Sequence, residues 1–232
     1  MMKNNISLVI LTRNEINGLK SVIQKIPFEA VGEYFAVDYQ SDDGTVDFFE
    51  KYKIPVVKQI IPGRGEAFKL ASKNAKGKYL IFFSPDGNEN PSDIHHMINL
   101  IHEGNDLVIA SRFMKNSRNE EDEKLLKFRK WANQFFTYAV RLFWGGHVTD
   151  TINGYRAIKK DLFNRLNLDA RGFSIEYQMT IRALKLKSKI TEFPTIEGNR
   201  AGGQSTAHAI PTGIIFLRLL LRELLIGNRF KK

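Results

Sequence analysis

The chain has no cysteine among its 232 residues. That absence excludes a disulfide framework, a thiolate metal site and a cysteine nucleophile, and it fits a reducing compartment. Nor does any uninterrupted apolar run reach the ~20 residues needed to cross a bilayer. The opening Met-Met-Lys-Asn-Asn lacks the pattern of a secretory leader and runs straight into a strand-like stretch. A protein made and kept in the cytoplasm is the expectation. Internal repeats and low-complexity linkers are also missing, which favours one folded domain with at most a small appendage.

What is present is ordinary for a folded chain: 43% hydrophobic and 26% charged residues, too apolar for disorder. The formal net charge is +10. Such a surface attracts nucleic acid, anionic lipid headgroups or phosphorylated substrates. The basic residues are spread along the chain and build no recognised nucleic-acid module, so no nucleic-acid partner is expected.

Apolar runs at residues 6–11, 34–37, 79–83 and 106–110 read as buried parallel strands, with a weaker fifth at 55–60. Helix-like stretches at 17–25, 46–52, 65–74 and 91–102 lie between them. This alternation predicts an α/β fold with a Rossmann-like, mostly parallel sheet flanked by helices. Ligands of such sheets bind beyond the carboxyl ends of the strands. Residues 116–130 are strongly charged and read as a mobile connection into an aromatic-rich helix at 128–144. A motif at 150–157, a helix opening at Phe173-Ser174-Ile175-Glu176-Tyr177 and a strand near 189–193 follow. The apolar stretch 210–229 reads as a C-terminal amphipathic helix with Arg218, Arg222 and Glu223 on one side.

The predicted strand ends carry the polar residues. Thr12-Arg13-Asn14-Glu15 follows the first, Asp38-Tyr39 with Asp43-Gly44-Thr45 the second, and Ser84-Pro85-Asp86-Gly87-Asn88 the third strong one. Gly63-Arg64-Gly65-Glu66-Ala67 opens a helix, and further on come Ala110-Ser111-Arg112-Phe113, Asp150 with Gly154-Tyr155-Arg156, and Arg200 with Gly203-Gln204-Ser205. In this order and spacing the chain resembles glycosyltransferase family 2, within it the polyprenyl-phosphate sugar synthases, over about residues 6–205. The resemblance implies a GT-A-type fold over residues 1–209, with about 1–115 as the nucleotide-sugar half and 116–209 as the acceptor half. Residues 210–232 then form a basic, membrane-associated tail.

The resemblance also implies roles. The donor would be a GDP- or UDP-sugar met by Thr12, Asn14, Glu15, Asp38, Tyr39, Arg64, Gly65, Ser84 and Asp86. Glu15 and Asp38 would accept hydrogen bonds from base and ribose, Tyr39 would stack, and Gly65 would let the backbone approach the diphosphate. A hard divalent cation, Mg²⁺ or Mn²⁺, prefers oxygen ligands, and Asp86 and Asn88 would supply them. Ser84 stands where the family usually has a carboxylate. The acceptor side would draw on Arg112, Arg129, Arg156, Glu176, Arg200 and Ser205, since guanidinium forks match a phosphate. Catalytic roles fall to Asp86, Arg112 and Asp150. A polyprenyl phosphate is already ionised and needs cations more than a base, whereas an acceptor hydroxyl would need a base, for which Asp150 is the candidate.

Residues 128–144 and 210–229 have the composition of helices lying in a membrane interface. They predict a peripheral enzyme on the inner face of the cell membrane, although the second stretch also suits a buried or homodimer helix. Plainer readings stand beside these. Asp38, Asp43 and Asp86-Gly87 suit turns, Arg112 and Arg129 suit a solvated face, and Asp150 and Glu176 suit caps or core ion pairs. His95 and His96 read as surface or packing residues. Competing functions are transfer to a saccharide or lipid-linked sugar hydroxyl and a non-catalytic nucleotide-sugar-binding protein. A sugar nucleotidyltransferase would put its Gly-rich loop directly after the first strand, where Thr12-Arg13-Asn14-Glu15 stands instead.

Overall fold

Four of the apolar runs form the middle of one sheet. In the computed structural model, which describes residues 5–122, 127–201 and 209–230, they are β1 (Ile6–Thr12), β2 (Glu33–Asp38), β4 (Tyr79–Phe83) and β5 (Leu107–Ser111). The short β3 (Val56–Lys58) and β7 (Ile190–Pro194) form the edges, and β6 (Arg156–Lys159) lies inside the sheet. The order is β3-β2-β1-β4-β6-β5-β7. All neighbours are parallel except β6, which runs antiparallel to both β4 and β5. From β1 the chain adds β2 and β3 on one side and β4 on the other. That reversal opens a crevice where Thr12 and Ser84 leave the sheet.

Alternate residues of β1 serve opposite faces, as the pleat requires. Leu8 and Ile10 pack under α1 (Ile16–Val22), α2 (Thr45–Lys51) and α4 (Asp93–His102). Val9 and Leu11 pack under α3 (Arg64–Asn74), α6 (Lys160–Arg165) and α7 (Ile175–Lys185). Two longer helices, α5 (Phe128–Trp144) and α8 (Ala209–Ile226), build a third cluster with α7. Phe136 and Val140 of α5 meet Tyr177 and Ile181 of α7 and Phe216, Leu219 and Leu220 of α8.

Three expectations change. The motif at 150–157 ends in β6, whose Arg156 is fully buried. The predicted mobile connection is pinned over its first residues: Arg118 donates its N–H to the Thr195 carbonyl, and Glu197 accepts from the Glu120 N–H. Glu223 and Arg222 differ in surroundings: Glu223 is wholly buried, while Arg222 touches it at 3.3 Å and reaches out to Asp169. His95 and His96 are exposed, the latter beside Phe193.

Candidate active site

The loops after β1 and β2 hold each other. Asn14 sits at φ 57°, a conformation asparagine tolerates, and its side-chain oxygen accepts from the Asp42 N–H at 3.0 Å. Thr12 donates to Asp38 at 3.1 Å, and Asp38 also accepts from the Ser41 N–H at 3.0 Å. Asp43 accepts from the N–H groups of Ile16 and Thr45 and so ties the start of α1 to the start of α2. Arg13 lies over the Tyr39 ring, 5.1 Å from its centroid, so one stacking face of that ring is already covered.

Glu15 stands at the rim, between these loops and Asp86. Burial, then the Asp86 charge, raises its pKa from 4.5 to about 7, with Arg200 and Arg64 opposing. The folded state therefore holds a proton that the unfolded state has lost between those values, and stability falls as pH rises through them. Glu15→Gln removes that loss. After discounting for partial exposure it is expected to be about 1–2 kcal/mol more stable than wild type at pH 8. At pH 4 the two should coincide, which paired thermal melts would check.

Below the rim lies a cavity of about 200 Å³. It gathers Arg64, Ser84, Asp86 and Asn88 on the side expected to meet the donor, and Arg112, Arg129, Glu176 and Arg200 beyond them. Its far wall is apolar, with Ala132 and Phe136 from α5 and Phe216 from α8. Sequence reasoning passed over three more of its carboxylates: Glu89, Glu120 and Glu197. Glu120 was hidden in a charged run, Glu89 directly follows the metal motif, and Glu197 had no local signal.

The arginines are paired. Arg64 is bound to Glu176, with its Nη1 3.5 Å from the Ser84 hydroxyl. Arg129 meets Glu120 at 3.2 Å and Arg200 meets Asp86 at 2.8 Å. Arg112 donates its Nε and Nη2 to Asp150 at 2.7 and 3.0 Å and approaches Glu197 at 3.6 Å. One Glu176 oxygen, Oε2, is buried without a hydrogen-bond partner among the described residues.

Three of the expected site residues have other partners in the structure. Asp150 is fully buried, and besides Arg112 it accepts from the Asn153 N–H. Burial pushes its pKa up, but Arg112 outweighs that and holds it below the usual carboxylate range. A carboxylate so occupied is a poor general base and instead positions Arg112. Arg156 donates to the backbone oxygens of Asn153 and Glu176 and to Thr180, inside the protein. Burial pulls its pKa down to about 10, and nothing of it lines the cavity. Gly65 is required by packing, because a Cβ there would lie 2.0 Å from the Ala170 carbonyl oxygen. Ser205 lies outside the described residues.

The loop after β4 suits a hard cation. Asp86 is pushed above its ordinary pKa by burial, against the Arg200 charge. Asn88 donates its amide N–H to Glu120 at 2.9 Å, while its Oδ1 is buried without a partner among the described residues. A buried, unsatisfied oxygen beside a carboxylate is what a Mg²⁺ or Mn²⁺ site offers. Among the described residues no three His, Cys, Asp or Glu side chains are gathered to hold a metal ion, so phosphate and water would complete the shell. Gly87, at φ 92°, lets the segment carrying Arg200 lie close over this loop. Gly198 and Ala201 donate their N–H groups to the Asn88 and Asp86 carbonyls.

Comparison with known proteins bears on this geometry. Residues 7–166 match the family model described as glycosyl transferase family 2. The chain is similar to glycosyltransferase AglJ of Haloferax volcanii, 29% identical over 91% of this chain and 69% of that one. It is also similar to an undecaprenyl-phosphate mannosyltransferase of Micrococcus luteus, 27% identical over 85% of each chain. A dolichol-phosphate mannosyltransferase of Pyrococcus furiosus is 26% identical over 86% of this chain and 58% of its own. Among solved structures, glucosyl-3-phosphoglycerate synthase of Mycobacterium tuberculosis with UDP superposes with a TM-score of 0.72 at 20% identity, covering 98% of this chain and 81% of that one. That likeness concerns the fold, which is of GT-A type.

Proposed function

Since the chain belongs to glycosyltransferase family 2, we propose that it moves a sugar from a GDP- or UDP-sugar to a polyprenyl phosphate, with inversion, at the inner membrane face. The observation that carries this reading is the composition of the cavity. Its donor side is charged and its far wall is formed by the two amphipathic helices.

Those helices are apolar outward as well as inward. Trp131, Phe135, Tyr138 and Leu142 follow one another at helical spacing along α5, each at least half exposed. Ile214, Leu217, Leu221 and Leu225 make the corresponding stripe on α8. Arg141 and Arg218 lie beside them, exposed. A cationic helix pair with outward leucine and aromatic side chains is suited to an anionic lipid surface. No helix among the described residues is long and apolar enough to cross a membrane, so docking would be from one side. Two relatives carry polyprenyl-phosphate acceptors in their names, undecaprenyl phosphate and dolichol phosphate, which supports the same choice.

In this reading the acceptor phosphate needs no base. One of its oxygens attacks the anomeric carbon opposite the departing nucleoside diphosphate, which inverts the configuration. Arg200 and Arg129 would orient the acceptor phosphate, and Arg112, fixed by Asp150, would add positive potential. Arg64 would face the donor diphosphate, held in place by Glu176. Asp86 and Asn88 would hold a divalent cation, which when bound neutralises charge on the leaving group. Transfer to a saccharide hydroxyl would need a base, and Asp150, the expected one, is held by Arg112.

The test is a donor screen. Purified protein, membrane lipid extract, Mn²⁺ or Mg²⁺ and radiolabelled GDP- and UDP-sugars are combined, and label is counted in the organic phase. The expected result is metal-dependent lipid label with one donor. Label confined to saccharide, or nucleotide-sugar binding without transfer, would overturn the polyprenyl-phosphate acceptor.

A further inference from the structure

Five carboxylates among the described residues line the cavity, and four of them have arginine partners. Asp86 meets Arg200 at 2.8 Å and Glu120 meets Arg129 at 3.2 Å. Glu197 approaches Arg112 at 3.6 Å, and Glu176 is bound to Arg64. The fifth, Glu89, has no ion-pair partner among the described residues, and its one hydrogen bond is accepted from the Ser84 N–H at 2.7 Å. Glu89 is half-buried, and Arg64, which opposes its charge, is already bound to Glu176, so the loop carries two carboxylates, Glu89 and Asp86, whose mutual repulsion a bound cation would relieve.

The local backbone shows where that cation would sit. The hydrogen bond from the Ser84 N–H folds the loop back, so that Glu89 returns its carboxylate to the end of β4. The Asn88 N–H donates to Asp86 Oδ1 at 3.0 Å and closes the same loop from its other arm. Asp86, Asn88 and Glu89 all line the cavity, and Asn88 Oδ1 is buried with no partner among the described residues. Two carboxylates and one unsatisfied amide oxygen on a six-residue loop form a hard, oxygen-only donor set.

We infer that Glu89 is a ligand of the divalent cation in this chain and supplies the carboxylate that Ser84 does not. The inference rests on the metal-dependent reading above and adds a residue to it. It also accounts for Ser84: with Glu89 folded against its backbone, a carboxylate at position 84 would place a third negative charge beside Asp86 and Glu89. A hydroxyl leaves room for one cation and keeps Arg64 Nη1 within 3.5 Å of Ser84 Oγ.

Mn²⁺ binding, followed by the loss of the free-ion EPR signal, tests this without any transfer assay. Glu89→Gln retains an oxygen that accepts from the Ser84 N–H, so the loop has no reason to unfold, and a thermal melt verifies that it has not. Mn²⁺ affinity, alone and with UDP, is expected to fall tenfold or more in Glu89→Gln. Adding Ser84→Asp to that variant should restore most of it. Glu89→Asp keeps the charge but withdraws the oxygens by one methylene, and an affinity reduced several-fold is expected there too. Wild-type affinity in Glu89→Gln, or failure of Ser84→Asp to restore any binding, would overturn this inference alone. No Mn²⁺ binding by the wild-type protein would overturn the metal-dependent reading along with it.

Discussion

Asp86→Asn is expected to lower sugar transfer about a thousandfold, roughly 4 kcal/mol of transition-state stabilisation, while hardly changing the melting temperature. The substitution keeps the size of the side chain and an oxygen to accept from the Asn88 N–H, so the loop stays closed. What disappears is the negative charge at the one position where the sheet crevice, the buried Asn88 oxygen and the Arg200 segment meet. A cation at a departing diphosphate contributes several kcal/mol, and with Asp86 as the ligand proposed above most of that would be lost. Stability should barely suffer because burial already makes the ionised Asp86 unfavourable, raising its pKa against the Arg200 charge. Arg200, whose side chain is 29% exposed, can be hydrated once its partner is neutral. Such a separation of activity from stability marks a charge retained for chemistry. Steady-state transfer alongside thermal melts measures it. An Asp86→Asn variant that retained more than a tenth of the wild-type rate would remove Asp86 from the centre of the mechanism.

Which features could be read from sequence follows from their range along the chain. Strands β1, β2, β4 and β5 are buried on both faces, so each is an unbroken apolar run whose ends are marked by polar residues. For the same reason Thr12, Asp38, Ser84 and Asp86 stand out as polar residues at strand ends, while the roles expected of them come from the family resemblance. Helix α5 was legible because its aromatics recur at helical spacing over seventeen residues. Strand β6 was not: it is four residues long, begins with an arginine and runs against its neighbours. A buried Arg156 is indistinguishable in sequence from an exposed one, since burial depends on Asn153, Glu176 and Thr180 closing around it. The pairings that define the cavity are also invisible locally. Arg64 and Glu176 are 112 positions apart, and only the packing of α3 beside α7 brings them together. Glu89 was overlooked for the opposite reason. It is adjacent to the motif, but its role depends on a fold-back to Ser84 that no periodicity encodes.

The second large effect concerns α8, which carries part of the cavity wall as well as an outward apolar stripe. Glu223→Ala is expected to cost about 3–5 kcal/mol, the usual consequence of leaving a buried cation without its partner. Glu223 accepts from Arg182 Nε and Nη2 at 2.9 and 2.8 Å, from Gln178 at 3.1 Å and from Lys185 at 2.7 Å. The side chains of Arg182 and Lys185 are each only 3% exposed, so neither can turn to water in place of the lost carboxylate. For a chain of this length the melting temperature should fall by about 10 °C. Burial alone would raise the pKa of Glu223, but the hydrogen bonds from Arg182, Lys185 and Gln178 prevail and hold it below the usual glutamate value. Its contribution is therefore complete above that value and disappears as pH falls through the lower, folded-state one. The wild-type protein should lose stability in acid more steeply than Glu223→Ala, and the two should converge there. Replacing Glu223, Arg182 and Lys185 together by leucine or methionine should recover part of the loss, the rest remaining because the Leu166, Asn167 and Gly227 carbonyls lose donors. Thermal melts of the single and triple variants between pH 3 and 8 separate these cases. A single variant within 1 kcal/mol of wild type at neutral pH would mean that apolar packing of Phe216, Leu219 and Leu220 holds α8 in place by itself.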